Sequence, residues 1–409
     1  MTTVHDHSDE MQRILLGVTV LAVIVFDAHS RVQGCVVAVN SDAREWIATR
    51  RGLRGGIVTP ELSASLCPGD TIAGPLLVKE DWLLKEPIDT RGLQVEFAAI
   101  NSEQKLASPA RGVLAHETSR RTYARYSEAL GALDRPSLFE DRLCYRVMNV
   151  SLSGNQPSIA LELMTYFDAI DLGEAMRHEL AVAKGSLAKA PLRKSLGDLR
   201  EIRSRHTLGA VNVITLRAEG AAMTFLLHER DGSAVATEGG DVHVTPCGVF
   251  QPASPSLGAA AADADIWKSA VREYAEEFLG FPEAGVAGSA SVDYESSPPF
   301  DEFWAAQRDG TFRLFLMGAG VNPTTGVMEF LCAGVFEAAT FDRLFELQVH
   351  RNEEGLILAA KSSGGHLRGF LLDDGMVNTL PRRHRLAPAG RACLALAFKH
   401  KAFLQASVA

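Results

Sequence analysis

The sequence predicts an α+β fold in which helices pack against mixed β-sheets. Short runs that are rich in β-branched and apolar residues, such as residues 143–150 and 158–163, have the length and composition of strands. In residues 170–183, apolar side chains recur every three or four positions, which is typical of an amphipathic helix. The chain contains 46% hydrophobic and 22% charged residues, a balance typical of globular proteins.

The length of 409 residues exceeds what a single core usually supports, so we expect two domains. The predicted boundary is a basic linker at residues 191–205, which has five Arg or Lys and two acidic residues and contains Pro191 and Gly197. Residues 1–190 would then form an N-terminal α+β domain. Residues 206–409 would form a C-terminal domain with a mixed sheet flanked by helices.

In the N-terminal half, the apolar run at residues 14–26 is predicted to be a buried strand. It is shorter than the ~20 residues that span a bilayer, and it is rich in β-branched residues. Residues 120–132 are predicted to be helical. On the helix predicted at residues 170–183, Glu174 and His178 have a spacing compatible with a metal site, but we expect capping and surface contacts there.

Charge and cysteine content restrict the partners that the protein is expected to have. The formal net charge of -9 argues against a broad surface for nucleic acid, so nucleic acid is not an expected partner. The six cysteines lie far apart and form no Cys-x-x-Cys pair, the pattern typical of zinc and redox sites. Free thiols are typical of a reducing compartment, so we expect a cytoplasmic protein that does not associate with membranes.

The C-terminal half shows a regular succession of strand and helix patterns. Strands are predicted at residues 211–216, 223–227, 242–245, 312–317, 327–336 and 355–359. Helices are predicted at residues 265–279, 341–347 and 390–404. A long loop rich in Ala, Ser and Pro is expected before the first of these helices. Asp263 or Asp265 could cap that helix, and Gly280 could end it.

The helix predicted at residues 265–279 carries a cluster of carboxylates. Glu273, Glu276 and Glu277 stand at positions i, i+3 and i+4, so they are expected to project from one helical face. Their mutual repulsion would be relieved by a divalent cation such as Mg²⁺ or Mn²⁺, which prefers hard oxygen ligands. Arg272 lies four residues before Glu276 and could hold its carboxylate. The alternative to a metal site is that these residues form a solvated acidic surface of the helix with internal ion pairs.

The segment REYAEEFLG at residues 272–280 resembles the helix half of the Nudix box. That pattern consists of Arg-Glu, an apolar residue, any residue, Glu-Glu, any residue, Gly and an apolar residue. The resemblance implies a Nudix-like C-terminal domain that hydrolyses a phosphoanhydride bond in a nucleotide or nucleoside-diphosphate derivative, with Mg²⁺ or Mn²⁺ as cofactor. On this reading Glu273, Glu276 and Glu277 bind the metal, Glu273 and Glu276 act in catalysis, and Arg272 orients them.

The match to the Nudix pattern is incomplete at both ends. Leu279 occupies the position of the glycine at the helix end, and Gly280 follows one residue later. Upstream of the helix, the expected glycine is present as Gly258, but Ala264 occupies the position of the expected glutamate and has no ligand atom. The segment HVTPCGVFQP at residues 243–252 resembles the approach to a Nudix loop. We therefore expect Gly248 and Phe250 to contact the substrate.

Two kinds of function are compatible with these patterns. The first is a metal-dependent Nudix-type hydrolase whose N-terminal domain shapes specificity or mediates homodimer formation. The second is a nucleotide-sensing or regulatory protein that uses a degenerate Nudix-like domain to bind a nucleotide-like small molecule without hydrolysis. The missing upstream glutamate favours this second hypothesis. A third hypothesis is that the pocket has acquired unrelated chemistry.

Overall fold

The computed structural model describes residues 41–53, 75–98, 116–118, 121–230, 241–282, 292–346, 355–358 and 369–408. The strand predicted at residues 14–26 lies outside these ranges. Within them, no helix combines the length and the hydropathy that a membrane span requires.

The described residues form eleven α-helices and fifteen strands, and runs of strands are followed by runs of helices. The α-helices are α1 (Ser41–Leu53), α2 (Tyr126–Leu133), α3 (Tyr166–Val182), α4 (Pro191–Ser195), α5 (Leu257–Ala262), α6 (Ile266–Glu277), α7 (Phe300–Asp309), α8 (Ala338–Leu344), α9 (Asp374–Arg383), α10 (Pro388–Lys399) and α11 (Lys401–Ala406). The strands are β1 (Leu83–Asp89), β2 (Gln94–Ala98), β3 (His116–Thr118), β4 (Arg121–Thr122), β5 (Leu143–Ser151), β6 (Ser158–Thr165), β7 (Gly209–Glu219), β8 (Ala222–Phe225), β9 (Leu227–Arg230), β10 (Val242–Val244), β11 (Cys247–Val249), β12 (Phe312–Val321), β13 (Met328–Glu337), β14 (Gly355–Leu358) and β15 (Phe370–Leu371). Short 3-10 helices occupy Glu80–Trp82, Thr90–Gly92, Leu187–Lys189 and Ile202–Ser204.

The largest sheet has seven strands. Its order is β1-β12-β13-β7-β8-β15, and β11 pairs with β7 beside this path. Strands β13 and β7 run parallel, with Met328 opposite Gly209, whereas the other pairs are antiparallel. Helices on a mixed sheet constitute the α+β fold that the sequence predicts.

Three smaller sheets complete the described β-structure. Strands β10, β9 and β14 form one, and strands β2, β6 and β5 form another, in which β2 and β6 are parallel. Strands β3 and β4 form a two-stranded sheet.

Both faces of the large sheet are covered. Val211 and Val213 of β7 belong to a core cluster that includes the apolar face of α6, whereas Ile214 and Leu216 belong to a second cluster that includes α10. Successive side chains of a strand point to opposite faces, so β7 supplies both layers. Strand β13 is buried from Met328 to Phe336, which explains its almost uninterrupted apolar sequence.

The two halves of the chain pack directly on each other. Strand β1, from the N-terminal half, pairs with β12 of the large sheet. The backbone N–H of Tyr145 donates to the carbonyl of Phe250 over 2.9 Å. The segment predicted as a basic linker is folded against both halves, because Ile202 is buried and the buried guanidinium of Arg205 donates to the carbonyl of Gly326 over 3.2 Å. Hydrogen bonds of both backbone and side-chain groups therefore join the two halves.

Most predicted elements are present, with shifted ends. The helix predicted at residues 265–279 is α6, and Asp265 is its cap, because its carboxylate accepts from the N–H groups of Trp267 and Lys268 over 2.7 and 3.2 Å. The helix predicted at residues 120–132 begins later, because Arg121–Thr122 is a strand. The loop expected before α6 contains the helix α5, and the sequence reading also omitted α7 and α9.

Candidate functional site

The carboxylates of α6 point in two directions. Glu273 and Glu276 are half-buried and line a cavity, whereas Glu277 is only 2% exposed and points into the protein. Consecutive helical residues differ in direction by about 100°, so tertiary packing can separate Glu276 from Glu277. The structure thus brings two of the three predicted carboxylates to a common solvent-accessible space.

Glu277 holds the segment that joins β10 and β11. Its carboxylate accepts a hydrogen bond from Thr245 Oγ1 over 2.6 Å and another from the backbone N–H of Cys247 over 2.9 Å. Nδ1 of the buried His228 lies 3.5 Å from the same carboxylate. These contacts satisfy a buried charge and fasten the strands beside the cavity to α6.

Arg272 holds the opposite side of the helix. It is 4% exposed, and its guanidinium donates to the carbonyl of Gln251 over 2.6 Å and to the hydroxyl of Tyr294. The carboxylate of Asp263 lies 3.8 Å away. Burial alone would lower the pKa of Arg272, but Tyr294 and Asp263 raise it above its usual value. Arg272 thus fastens two loops to α6 and does not line the cavity.

The two predicted substrate-contacting residues have different environments. Gly248 lines the cavity, and a Cβ at this position would overlap the carboxylate of Glu273. Phe250 is fully buried, and its ring packs edge-on against Tyr145 and Phe330 at centroid distances of 4.7 and 5.9 Å. The structure therefore places Gly248 at the cavity and Phe250 in the core between the two halves.

The positions upstream of α6 that correspond to the Nudix pattern lie away from the cavity, and the neighbouring Asp263 has a structural role. Ala264 is buried, and neighbouring Asp263 accepts hydrogen bonds from the N–H of Ala253 over 2.9 Å and from the hydroxyl of Tyr294 over 3.0 Å. Gly258 lies in α5 with open space where a Cβ would be, so neither sterics nor its backbone requires glycine. These residues supply no carboxylate to the cavity.

The central cavity lies between α3 of the N-terminal half and the α6–β7–β13 region of the C-terminal half. Its volume is about 240 Å³. The N-terminal half contributes apolar residues together with four polar ones: Leu138, Phe139, Tyr166, Ala169, Ile170 and Gly173 with Ser137, Glu140, Arg142 and Glu174. The C-terminal half contributes polar residues, among them Asn212, His243, Glu273, Glu276 and Glu329, interspersed with Leu208, Ala210, Val249 and Val327. An apolar surface with a few convergent polar groups is typical of small-molecule sites.

Carboxylates dominate the charge of this cavity. Glu140, Glu174, Glu273, Glu276 and Glu329 all line it. Its cation Arg142 donates to the carboxylate of Glu140 over 2.8 Å. Burial lowers the pKa of His206, also in the lining, and therefore favours its neutral form. The cavity is thus better suited to N–H donors than to an unaccompanied anion.

Glu174 and Glu329 line the cavity but were not predicted from the sequence as site residues. Glu329 is 5% exposed and accepts a hydrogen bond from the side-chain amide of Asn212 over 2.9 Å. An acidic residue inside the apolar run of β13 was a usable signal, because buried carboxylates require partners. Glu174 and His178, expected at the surface, are both buried, and the Tyr126 hydroxyl lies 3.0 Å from His178 Nδ1.

The described residues do not fit the magnesium or manganese site that the resemblance implies. They contain no group of three or more His, Cys, Asp or Glu side chains placed to hold a metal ion. The geometric reason lies in α6, where the carboxylate of Glu277 is directed to Thr245 and Cys247. No step of a reaction is therefore assigned to a metal.

Comparison of the chain with protein-family models and with curated proteins gives no match.

Proposed function

We propose that this chain is a sensing or regulatory protein that binds a nucleotide-like small molecule in the central cavity without hydrolysing it. The observation that carries the proposal is the position of Glu277, whose buried carboxylate accepts from Thr245 and Cys247. A carboxylate that holds two buried donors stabilises the fold and is costly to redirect towards a ligand. Ala264, in place of the expected glutamate, supports the same conclusion.

The two walls of the central cavity support a ligand with two chemically different parts. The wall with Phe139, Tyr166 and Ile170 suits a flat apolar group such as a nucleobase. The wall with Glu273 and Glu276 suits donor groups such as sugar hydroxyls. Carboxylates repel phosphate, so binding of a nucleotide should depend on its phosphate number and on an added divalent cation.

A second candidate function is the metal-dependent hydrolysis that the resemblance implies. The specific observation that favours it is the presence of Glu273, Glu276 and Glu329 in the lining of the same cavity. In this case the divalent cation would have to arrive bound to the substrate, because the described residues contain no group of three or more His, Cys, Asp or Glu side chains placed to hold it.

One experiment separates the two functions. The full chain is titrated by calorimetry with a panel of nucleosides and nucleotides, with and without Mg²⁺ or Mn²⁺, and each mixture is analysed for products over several hours. Glu276→Gln tests the cavity, and Glu302→Gln on α7, whose exposed carboxylate pairs with Arg343, is the matched control. Binding without product supports the sensing role. Rapid turnover that Glu276→Gln abolishes would reject it in favour of hydrolysis, and no binding at all would reject both.

A further inference from the structure

Glu174 is a buried carboxylate whose hydrogen-bonding capacity is not filled. It is 2% exposed, and its Oε1 accepts no hydrogen bond from the described residues. Arg177 forms an ion pair with Glu174, but its Nη1 lies 3.6 Å from Oε1, beyond hydrogen-bonding distance. Buried polar atoms in native proteins are nearly always hydrogen-bonded, so an exception of this kind needs an explanation.

Other acidic residues of α3 are satisfied by the protein itself. Asp171 accepts from the N–H of Ser127 over 2.7 Å and forms an ion pair with Arg125. Glu179 accepts from the N–H groups of Leu192 and Arg193 over 2.8 and 2.9 Å. Glu174 differs from both because it lines the central cavity. Glu174 is therefore the acidic residue of α3 that both lines the cavity and has a buried oxygen without a hydrogen bond from the described residues.

Glu174 follows directly after a close contact between α3 and the C-terminal half. Gly173 approaches the carbonyl of Thr325 so closely that a Cβ would lie 2.7 Å from its oxygen, which brings α3 against the turn between β12 and β13. Ile170 and Val327 also line the cavity. An ionised carboxylate is an acceptor only, and it pairs best with two parallel N–H donors in one plane.

We propose that Glu174 is a specificity-determining residue that binds a planar group with two adjacent N–H donors, as in the edge of a guanine base or a guanidinium. This inference rests on the proposed binding function of the central cavity, and it adds the chemical class of the ligand. A ligand that lacks one of the two donors leaves a buried acceptor unpaired, and this penalty is the usual source of strong discrimination.

The test compares ligands that differ in a single donor group. The full chain is titrated by calorimetry with guanosine and with inosine, which lacks the exocyclic amino group, so that phosphate and cation play no part. We expect guanosine to bind about tenfold to a hundredfold more tightly than inosine. Glu174→Gln should abolish this preference by weakening guanosine binding, and the control Glu302→Gln should retain it.

Two additions make the result decisive. Glu174→Asp keeps the charge but withdraws the carboxylate by one methylene group, so it should weaken guanosine binding even if the Gln variant folds poorly. Titration with methylguanidinium tests the other ligand that presents two adjacent N–H donors, a guanidinium group in place of a guanine base. Binding of methylguanidinium that depends on Glu174, without nucleoside binding, would support the role of Glu174 and reject a nucleotide as ligand.

Three outcomes would overturn the inference. Equal affinity for guanosine and inosine, or unchanged guanosine binding in both Glu174 variants, would remove the role of Glu174 while leaving the proposed binding function intact. Absence of binding for every nucleoside, nucleotide and guanidinium compound would reject both proposals.

Discussion

Replacement of Glu277 by alanine should destabilise the fold far more than the same replacement of its neighbour Glu276. The carboxylate of Glu277 is buried and accepts from Thr245 Oγ1 over 2.6 Å and from Cys247 N–H over 2.9 Å. Glu276 is half-buried in the wall of the central cavity. The pair therefore compares adjacent glutamates of one helix in different environments.

The magnitude follows from the groups that are left without partners. In Glu277→Ala, the hydroxyl of Thr245 and the N–H of Cys247 lose their acceptor inside the protein. Each unpaired buried donor costs about 1–3 kcal/mol, so we expect the free energy of unfolding to fall by about 2–6 kcal/mol. For Glu276→Ala we expect a smaller decrease, because Glu276 is only half-buried and its carboxylate lines the cavity.

Urea denaturation in the presence of EDTA provides the assay. Trp267 lies in α6, is 4% exposed and packs at a centroid distance of 5.7 Å from Trp304, so tryptophan fluorescence reports on this region. Chelation removes any contribution of a metal to stability. If Glu277→Ala unfolds at the same urea concentration as the wild-type protein under these conditions, the structural role assigned to Glu277 is wrong.

Three further predictions concern other residues near the cavity and in α3. Gly248→Ala places a methyl group on the carboxylate of Glu273 and should lower the free energy of unfolding by about 1–3 kcal/mol. The control Gly258→Ala, where the methyl group meets open space, should not lower it. Equal effects of the two substitutions in urea denaturation would contradict the predicted overlap at Gly248. Arg272→Lys should lower the free energy of unfolding by about 2–3 kcal/mol in the same assay, because one ammonium group cannot reach both the Gln251 carbonyl and the Tyr294 hydroxyl as the guanidinium does. A variant as stable as the wild-type protein would refute this prediction. Burial lowers the pKa of His178 to about 4 from an ordinary value of 6.5, so its neutral form is favoured on folding and its contribution is complete above about pH 6.5. The free energy of unfolding should therefore fall by about 3 kcal/mol between pH 6.5 and 4, and His178→Gln should reduce this pH dependence. An NMR titration in which His178 of the wild-type protein titrates near pH 6.5 would rule the prediction out.

The periodicity of the sequence was sufficient to predict the elements that form the sheet and the helix of the candidate site. Strands β5, β6, β7 and β13 and helix α6 occur where runs of apolar residues predict them. The short helix α5 was missed because its sequence, LGAAAA, lacks an apolar and polar periodicity. The cap at Asp265 was predictable, since it depends only on the N–H groups of the first helical turn.

The candidate site itself was only partly predictable, because its walls come from distant parts of the chain. Glu273 and Glu276 could be assigned to one helical face from spacing alone. Glu277 was assigned to the same face, but the donors that attract it, Thr245 and Cys247, lie about thirty residues away, and helix periodicity carries no information about them. Glu174 depends on an even longer separation, since it reaches the cavity only when α3 packs against the turn at Thr325.

The direction of Glu277 also affects how the acidic motif should be interpreted. Three clustered glutamates on a helix predict a cation site only if all three are free to turn towards one point, and a buried hydrogen bond to a backbone N–H removes that freedom. In this protein the motif performs two tasks, because Glu277 stabilises the strands while Glu273 and Glu276 contribute to the cavity wall. Urea unfolding in EDTA and ligand binding, both measured in the Glu277 and Glu276 variants, would separate these tasks. Loss of a stabilising residue lowers the free energy of unfolding, whereas loss of a ligand-binding residue weakens binding.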